Sequence, residues 1–263
     1  MEHININDLA EALLRGDLER KIFPTGIEVL DEALSGGLTS GITVLGGLPG
    51  RGKSSLAYHI IEEMSKTGKY AIFYNLEMPE LALAEMRVRR KNRASSLNED
   101  DNNVFYIVDA RTYTVEDIVE DIRKSHEKEK DVVVVIDYLQ LLRGNGDKAA
   151  DKRTQINESL KELSDVANLL DIPIILISSL TRSSYNGEVK NKLGVFKESG
   201  EIEYEAVTIL LLECDEKELS KLNRKCKIDI LKNKYKPGSG REISVMFQTE
   251  YVFFEGYSIK NLH

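Results

Sequence analysis

The chain contains little cysteine and no long apolar run, and each of these shortages excludes a class of protein. Its 263 residues include two cysteines, Cys214 and Cys226, which are too few for the disulfide framework of small secreted proteins. We therefore predict that both are buried, small apolar side chains without a redox or metal role, in a cytoplasmic protein. They flank a hairpin predicted around residues 215–225, which allows them to lie near one another. Apolar runs such as residues 132–136 are too short to cross a bilayer, and the N-terminus resembles no secretory signal, so no membrane contact is expected.

The sequence also lacks an excess of positive charge. Its formal net charge is −8, from 36 basic and 44 acidic residues, which disfavours nucleic-acid binding by the surface as a whole. Two local basic stretches remain, residues 87–93 and 224–236, and each is equally well explained as a solvated helix face or a hairpin loop. Any nucleic-acid site must therefore be local.

Apolar strand patterns alternate with helical patterns over most of the chain. Strand patterns at residues 42–45, 70–76, 103–108, 132–136 and 172–178 are separated by helical stretches, which predicts βαβ crossovers and a parallel sheet. After Gly200, four strand patterns follow one another without helices, at residues 206–212, 226–231, 241–247 and 251–254. The sequence therefore predicts an α/β fold whose mostly parallel central sheet carries antiparallel edge strands at the C-terminus.

A glycine-rich phosphate-binding motif follows the first of these strands. Residues 47–54 match G-x-x-x-x-G-K-[ST] between an apolar strand and a helix, as a P-loop requires. Glycines let backbone N–H groups turn onto phosphate oxygens, the lysine reaches the β- and γ-phosphates, and the hydroxyl ligates Mg²⁺. The predicted ATP contacts are Gly47, Pro49, Gly50, Arg51, Gly52, Lys53, Ser54 and Ser55, with Ser54 as the hydroxyl that binds Mg²⁺.

Two acidic residues are predicted to face this loop from the ends of other strands. Asp137 ends the run at residues 132–136, at the sheet edge where open α/β sheets bind ligands, and we predict that it holds Mg²⁺ together with Ser54. Glu77 follows the strand at residues 70–76 and is the best candidate to position the attacking water, with Glu80 as the fallback. The alternatives are that Asp137 only caps a turn and that Glu77 only favours the start of a helix.

The N-terminus is predicted to form a separate element. An amphipathic helical pattern covers residues 4–20, and residues 23–26 break it. A lone helix of this length is marginal in water and must dock on its own domain or on a neighbour. We therefore divide the chain into an N-terminal linker helix, residues 1–23, and one ATPase domain, residues 24–263.

These motifs resemble the RecA-like motor domain of DnaB-type replicative helicases over residues 25–255, nearly the whole chain. The strings at residues 25–31, 75–79, 136–141, 197–203 and 232–234 are similar to segments of that family. The resemblance implies a RecA-like P-loop NTPase fold, with ATP and Mg²⁺ as ligands and Glu77 as the catalytic carboxylate. It also implies a ring or helical homo-oligomer, with a hexamer as the leading expectation, and a channel for single-stranded DNA lined by loops near residues 143–153 and 182–194.

The chain departs from the family at positions that bear on function. Ser179, a predicted nucleotide contact, stands where the family has a sensor glutamine, and Lys234 stands where it has an arginine that acts on a neighbouring subunit. Lysine carries the charge without the planar fork of arginine. The resemblance makes Lys232 and Lys234 predicted catalytic residues alongside Lys53 and Glu77. The family's N-terminal domain, which contacts primase, has no counterpart here beyond the helix at residues 4–20, which argues against a primase contact.

The leading interpretation is an ATP-hydrolysing, DnaB-like helicase or translocase that acts on single-stranded DNA in replication. An alternative is a RecA/RadA-like or regulatory DNA-associated ATPase without unwinding activity, favoured by Ser179, Lys234 and the missing N-terminal domain. A nucleotide-binding module without hydrolysis is disfavoured, because the residues that bind phosphate, bind metal and position water are all present.

Overall fold

The computed structural model describes residues 5–97, 104–143, 152–180 and 200–261. Its helices are α1 (Ile6–Leu14), α2 (Glu28–Ala33), α3 (Lys53–Lys66), α4 (Glu80–Leu97), α5 (Val115–Lys128), α6 (Lys152–Leu170) and α7 (Gly200–Glu205). Its strands are β1 (Ile22–Phe23), β2 (Leu38–Thr39), β3 (Gly41–Gly47), β4 (Tyr70–Asn75), β5 (Tyr106–Asp109), β6 (Val132–Asp137), β7 (Pro173–Ser179), β8 (Thr208–Cys214), β9 (Asn223–Asn233), β10 (Arg241–Gln248) and β11 (Phe253–Asn261). Most of the predicted DNA loop at residues 143–153, and all of the one at residues 182–194, lie outside the described residues, as do residues 197–199.

Nine strands of the described residues form one sheet, in the order β11-β10-β9-β8-β3-β7-β6-β4-β5. The pairs from β8 to β5 are parallel, and the pairs from β8 out to β11 are antiparallel. The predicted parallel centre with an antiparallel C-terminal edge is confirmed. The strand predicted as antiparallel at residues 206–212, here β8, pairs antiparallel with β9, as predicted, and parallel with β3, which was not predicted. A buried strand has the same apolar pattern in either direction, so the pattern did not reveal this.

Helices on both faces of the sheet bury two apolar cores. On one face, Leu56 of α3 belongs to the same core as Phe73 of β4. On the other face, Ile118 of α5 and Leu163 of α6 pack in a core with Val134 of β6. Every residue of β6 is buried, because a central strand covered on both faces offers no position to water. Among the described residues, no helix has both the length and the apolar character needed to cross a membrane.

Helix α1 is shorter than the helix predicted over residues 4–20. The side chain of Asn5 caps it by accepting a hydrogen bond from the backbone N–H of Asn7 at 3.0 Å. None of the residues of α1 is buried, and Ile6, Leu13 and Leu14 are 73%, 62% and 87% exposed. The described part of the chain therefore leaves the apolar side chains of this helix uncovered.

The shortest elements were not predicted. Helices α2 and α7 have six residues each, and β1 and β2 have two residues each and pair with one another. Segments of this length are shorter than the window over which a period of 3.6 or 2 residues can be recognised.

The prediction for the two cysteines was wrong. Cys214 ends β8, Cys226 lies directly opposite it on β9, and the structure joins the two sulfur atoms in a disulfide. Both side chains are buried, as predicted. Their Cα atoms are 4.4 Å apart, the separation of a directly opposed, non-hydrogen-bonded pair of antiparallel strands. The two cysteines are 12 positions apart in sequence, on either side of the predicted hairpin; this allowed them to be neighbours but did not give the register that makes them directly opposed.

Candidate nucleotide-binding site

The P-loop connects the end of β3 to the start of α3. Gly50 and Gly52 have φ angles of 73° and 99°, in the left-handed region that glycine adopts without strain. Gly52 is the N-cap of α3, and no side chain of the described residues makes the capping hydrogen bond there. The first backbone N–H groups of α3 are therefore available to an anion, which the positive end of the helix dipole also favours.

Close packing under the loop excludes larger residues at two of its glycines. A Cβ atom on Gly47 would lie 2.6 Å from the carbonyl oxygen of Leu212 in β8, and one on Gly52 would lie 3.0 Å from Cε1 of Phe247 in β10. The loop therefore rests directly on the strands beside it. This close approach positions the P-loop relative to the antiparallel edge of the sheet.

Lys53, the first residue of α3, is held inside the loop. Its side-chain ammonium donates a hydrogen bond to the carbonyl oxygen of Leu48 at 3.0 Å, and the residue is 8% exposed. Burial lowers the pKa of Lys53, against the opposing influence of the carboxylates of Asp137 and Glu77. A partly desolvated ammonium beside one loop carbonyl is well suited to exchange that carbonyl for phosphate oxygens.

Asp137 faces the same space from the end of β6. It is 1% exposed, and neither of its carboxylate oxygens has a hydrogen-bond partner among the described residues. Burial raises its pKa to about 6; the neighbouring Ser54 hydroxyl and Lys53 ammonium lower the pKa, whereas the Glu77 carboxylate raises it. A buried carboxylate with no donor at hydrogen-bond distance is costly, and a cation would remove that cost.

Glu77 lies on a turn just beyond the end of β4. The buried side chain of Asn75 bridges this turn with two hydrogen bonds to Met78: its amide donates to the carbonyl oxygen at 2.6 Å, and its Oδ1 accepts from the N–H at 2.9 Å. Asn75 is also the register partner of Asp137. Glu77 and Asp137 therefore lie at neighbouring ends of two adjacent strands. Glu80, the fallback, lies in α4 and lines a different depression of the surface.

One cavity of about 580 Å³ brings most of the predicted residues together. It is lined by Pro49, Gly50, Gly52, Lys53, Ser54, Ser55, Glu77, Asp137 and Ser179. Gly47, the last residue of β3, does not line this cavity. Arg51 instead lines a second cavity on the other side of the loop, where its Nη2 lies 3.5 Å from Oε1 of Glu216.

Lys232 and Lys234 do not line this cavity. Lys232 lies opposite Ile209 near the beginning of β8, at the opposite end of the parallel strands from the P-loop. Its ammonium donates to the carbonyl oxygen of Glu203 at 2.5 Å. Burial lowers the pKa of Lys232, and the nearby charge of Lys234 adds a smaller effect in the same direction. Lys234 is exposed, with its Nζ 5.4 Å from the centre of the Tyr235 ring. Neither residue can therefore act on a nucleotide in its own chain's cavity.

An amide side chain does lie at the end of β7, although Ser179 replaces the expected glutamine there. Gln140, in the turn after β6, donates to Oγ of Ser178 at 3.1 Å and to the carbonyl oxygen of Ser179 at 3.2 Å. Its Oε1 accepts from the N–H of Ser179 at 3.3 Å. Gln140 therefore ties the turn that follows Asp137 to the strand end that carries Ser179.

Several residues of the cavity were not predicted. Arg224 and Phe247 line it from the antiparallel edge, as do Thr249 and Val252, and Glu85 and Arg89 line it from α4. The ring of Phe247 stacks on that of Phe254 at 4.2 Å between centroids, and the guanidinium of Arg224 lies 5.8 Å from the Phe247 ring. No motif marks these positions, because the register of β9 and β10 brings them to the loop. The two basic stretches were the available signals, because residues 87–93 include Arg89 and residues 224–236 include Arg224.

Comparison with known proteins identifies the family. The model of the DnaB-like helicase C terminal domain matches residues 23–100 and 89–256. The replicative DNA helicase DnaB of Geobacillus stearothermophilus is 28% identical over 93% of this chain and 58% of its own length. The replicative DNA helicase DnaC of Bacillus subtilis is 26% identical over 87% and 55%, respectively. The chain thus spans a little more than half the length of these relatives.

Solved structures share the fold. One solved ATPase domain matches with a TM-score of 0.81 at 24% identity, over 98% of this chain and 100% of that one. A DnaB-like replicative helicase, solved in a study of its interactions with primase, matches with a TM-score of 0.81 at 22% identity. The match covers 98% of this chain and 68% of that one. A KaiC-like protein of Pyrococcus horikoshii matches with a TM-score of 0.65 at 18% identity over 91% and 100%. The RecA-like fold predicted from the resemblance is confirmed.

Proposed function

The chain belongs to the family of the DnaB-like helicase C-terminal domain, and from this premise we propose that it is an ATP-hydrolysing helicase or translocase acting on single-stranded DNA in replication. The observation that carries the proposal is the single cavity in which Lys53, Ser54, Asp137 and Glu77 meet. The relatives with this sequence pattern are named replicative helicases, which favours this activity over a RecA/RadA-like ATPase without unwinding. We propose the cytoplasm as its location on the same basis.

Ser54 and Asp137 fit a Mg²⁺ ion that accompanies the nucleotide. Mg²⁺ prefers hard oxygen ligands and commonly takes one or two protein carboxylates together with substrate phosphates. The two buried oxygens of Asp137, which have no hydrogen-bond partner in the described part of the chain, and the hydroxyl of Ser54 in the same cavity provide such ligands. When bound, the ion would neutralise negative charge on the phosphates. Ser54 and Asp137 are therefore the proposed metal residues.

The side chains around the phosphates suggest how hydrolysis proceeds. The N–H groups at the start of α3 and the ammonium of Lys53 would bind the phosphate oxygens, with Lys53 leaving the carbonyl of Leu48. Glu77 would orient the attacking water and accept its proton, because its exposed carboxylate borders the cavity on a turn that Asn75 holds in place. Positioning and electrostatic stabilisation of this kind account for most catalysis of phosphoryl transfer.

Phe247 and Arg224 are proposed to contact the nucleotide base. They enter the cavity from the side of the sheet opposite Glu77, with Thr249 beside them. An aromatic ring with a guanidinium nearby suits a flat, polarisable base, by stacking and by cation–π attraction. This arrangement would place the base towards the antiparallel edge of the sheet and the phosphates over α3.

Self-association is proposed to complete the site. Helix α1 exposes Ile6, Leu13 and Leu14, an apolar surface that a neighbouring copy can cover. Lys232 and Lys234 lie at the far end of the sheet from the P-loop of their own chain, so a catalytic role requires the cavity of a neighbour. We propose a ring or helical homo-oligomer, with a hexamer as the leading arrangement, in which these lysines reach the adjacent nucleotide and residues 1–23 act as the linker.

The test combines ATP hydrolysis, with and without single-stranded DNA, with strand displacement and a mass measurement of the assembly. The wild-type chain is expected to show DNA-stimulated turnover and unwinding as a ring-sized assembly. Glu77→Gln should lower turnover by about 100-fold or more while nucleotide binding persists. Glu80→Gln is the matched control, since Glu80 lines a different depression, and it should hydrolyse ATP normally.

Two other results would change the proposal. Slow, DNA-independent turnover by a monomer would indicate a regulatory ATPase without unwinding. Turnover that survives in Glu77→Gln and falls in Glu80→Gln would contradict the assignment of the catalytic carboxylate.

A further inference from the structure

We propose that Cys214 and Cys226 form a reversible thiol–disulfide site whose oxidation state changes the affinity of the P-loop for nucleotide. The coupling rests on the nucleotide site proposed above, whereas the disulfide chemistry does not. The two residues are directly opposed on β8 and β9, and their Cα atoms are 4.4 Å apart. This separation lies at the short end of the range that a disulfide can bridge without moving the backbone, so the pair can open and close within one strand register.

The pair touches the P-loop. Sγ of Cys214 lies 3.5 Å from the carbonyl oxygen of Arg51, in the middle of the loop. Two residues earlier in β8, the carbonyl oxygen of Leu212 would lie 2.6 Å from a Cβ atom built on Gly47. The end of β8 therefore supports both the start and the middle of the loop. A change at Cys214 is transmitted to the loop by direct contact.

A small thiol or disulfide can reach the pair without entering the nucleotide cavity. A second cavity, of about 790 Å³, lies on the other side of the loop and is lined by both cysteines and by Arg51. Cys214 is 7% exposed and Cys226 is 1% exposed, so Cys214 is the sulfur that an outside reagent meets first. Access is one of the conditions that set the rate of thiol–disulfide exchange.

The chemistry is a two-electron exchange with a low-molecular-weight disulfide such as oxidised glutathione. The thiolate of Cys214 attacks one sulfur of the reagent, a mixed disulfide forms, and the first glutathione thiolate leaves. The thiolate of Cys226 then attacks the sulfur of Cys214, which forms the internal disulfide and releases the second glutathione thiolate. The protein loses two electrons and the reagent gains them, and the two protons of the cysteines pass to the released thiolates. Reduced glutathione drives the same steps in reverse.

The disulfide cross-links a hairpin that carries one residue of the nucleotide cavity and one neighbour of the P-loop. Arg224, which lines the nucleotide cavity, is two residues before Cys226, and Glu216, which approaches Arg51 at 3.5 Å, is two residues after Cys214. In the disulfide form, a covalent bond joins the two strands of the hairpin next to the P-loop. In the dithiol form, the strand ladder and side-chain contacts alone hold them, so Arg224 is less ordered and nucleotide binding is weaker.

The experiment equilibrates the full chain in glutathione buffers of increasing oxidised fraction. The fraction of disulfide is counted by acid quenching, alkylation and mass spectrometry, and the affinity for ATPγS with Mg²⁺ is measured in the same samples. We expect a two-electron titration and an affinity about three- to tenfold weaker in the dithiol form, the loss that corresponds to one weakened charged contact. The double variant Cys214→Ser/Cys226→Ser should have the weaker affinity in every buffer.

Several outcomes would overturn the proposal. Equal affinity of the two wild-type forms would refute the coupling, and a pair that stays reduced in excess oxidised glutathione would refute the redox site. A comparison of the two wild-type forms needs no variant, so a double variant that fails to fold leaves the test intact. Nucleotide binding in neither form would refute the proposed function and the coupling with it, while the disulfide titration would still decide the redox site independently.

Discussion

Replacement of Asp137 by asparagine should make the protein more stable while removing its response to Mg²⁺ and nucleotide. The carboxylate is buried and both oxygens lack a partner among the described residues, so its charge is a cost to the fold in the absence of a cation. The pKa of Asp137 is raised from 3.8 to about 6. A rise of about two pKa units lowers the free energy of unfolding by roughly 3 kcal/mol at a pH above both pKa values.

The direction in which stability changes with pH follows from proton linkage. Because the folded pKa lies above the unfolded one, the folded state holds an additional proton between about pH 4 and about pH 6. The stability that comes from this proton is fully present below about pH 4 and is lost as the pH rises through about 6. Asp137→Asn cannot ionise, so it escapes this loss. The amide is itself a buried polar group that costs about 1 kcal/mol or more without partners, and the expected net gain near pH 8 is therefore about 1 to 2 kcal/mol.

The assay is reversible unfolding of wild type and variant near pH 5 and near pH 8, without nucleotide and then with ATPγS and Mg²⁺. The gain should appear near pH 8 as a rise in Tm of about 2 to 8 °C for a chain of this length, and it should be much smaller near pH 5. Saturating ligand at about 100 times its Kd should stabilise the wild type by about 2.7 kcal/mol, and the variant by much less.

Asp109→Asn is the matched control. Asp109 also ends a parallel strand, β5, but the Arg111 guanidinium and the Arg111 backbone N–H hold its pKa down at about 2. Its replacement should weaken stability slightly at neutral pH and leave the stabilisation by ligand unchanged. Destabilisation of Asp137→Asn near pH 8, or a difference from wild type that does not change between the two pH values, would show that Asp137 is a structural capping residue instead.

Three further predictions concern the loop, the base contact and the turn. Gly52→Ala should lose about 1 to 3 kcal/mol of stability, because the φ of 99° is strained for alanine and the new Cβ would lie 3.0 Å from Phe247. The control Gly68→Ala, at a φ of 80° with no described atom near its Cβ position, should lose less. Equal losses in urea unfolding would contradict the proposed effect of the Phe247 contact. Arg224→Ala should raise the KM for ATP about fivefold with kcat nearly unchanged, and a fall in kcat alone would disprove a binding role. Asn75→Ala should lower kcat about tenfold or more with ATPγS affinity retained, because the turn that carries Glu77 loses both hydrogen bonds to Met78. An unchanged kcat in single-turnover measurements would show that this turn keeps its conformation without Asn75.

Much of the fold and most of the phosphate site could be predicted from local sequence. The unbroken apolar run of β6 predicts a strand buried on both faces, and its last residue, Asp137, must then reach the carboxyl edge of a parallel sheet. The P-loop is similarly local, because a strand, a glycine-rich turn and a helix start occur within a few residues. For the same reason, local sequence predicts that Lys53, Ser54, Asp137 and Glu77 share one site, and the structure brings them to one cavity.

The remaining features depend on strand order and register, which a single sequence does not encode locally. Strand β8 follows β7 in the chain but lies beside β3, so its direction could not be read from its pattern. Arg224 and Phe247 reach the nucleotide cavity, and Cys214 meets Cys226, because β8, β9 and β10 pair in one particular register. A shift of one residue would turn each of these side chains to the other face. Arg51 shows the same limit within the motif itself, since its backbone belongs to the P-loop but packing turns its side chain into the second cavity.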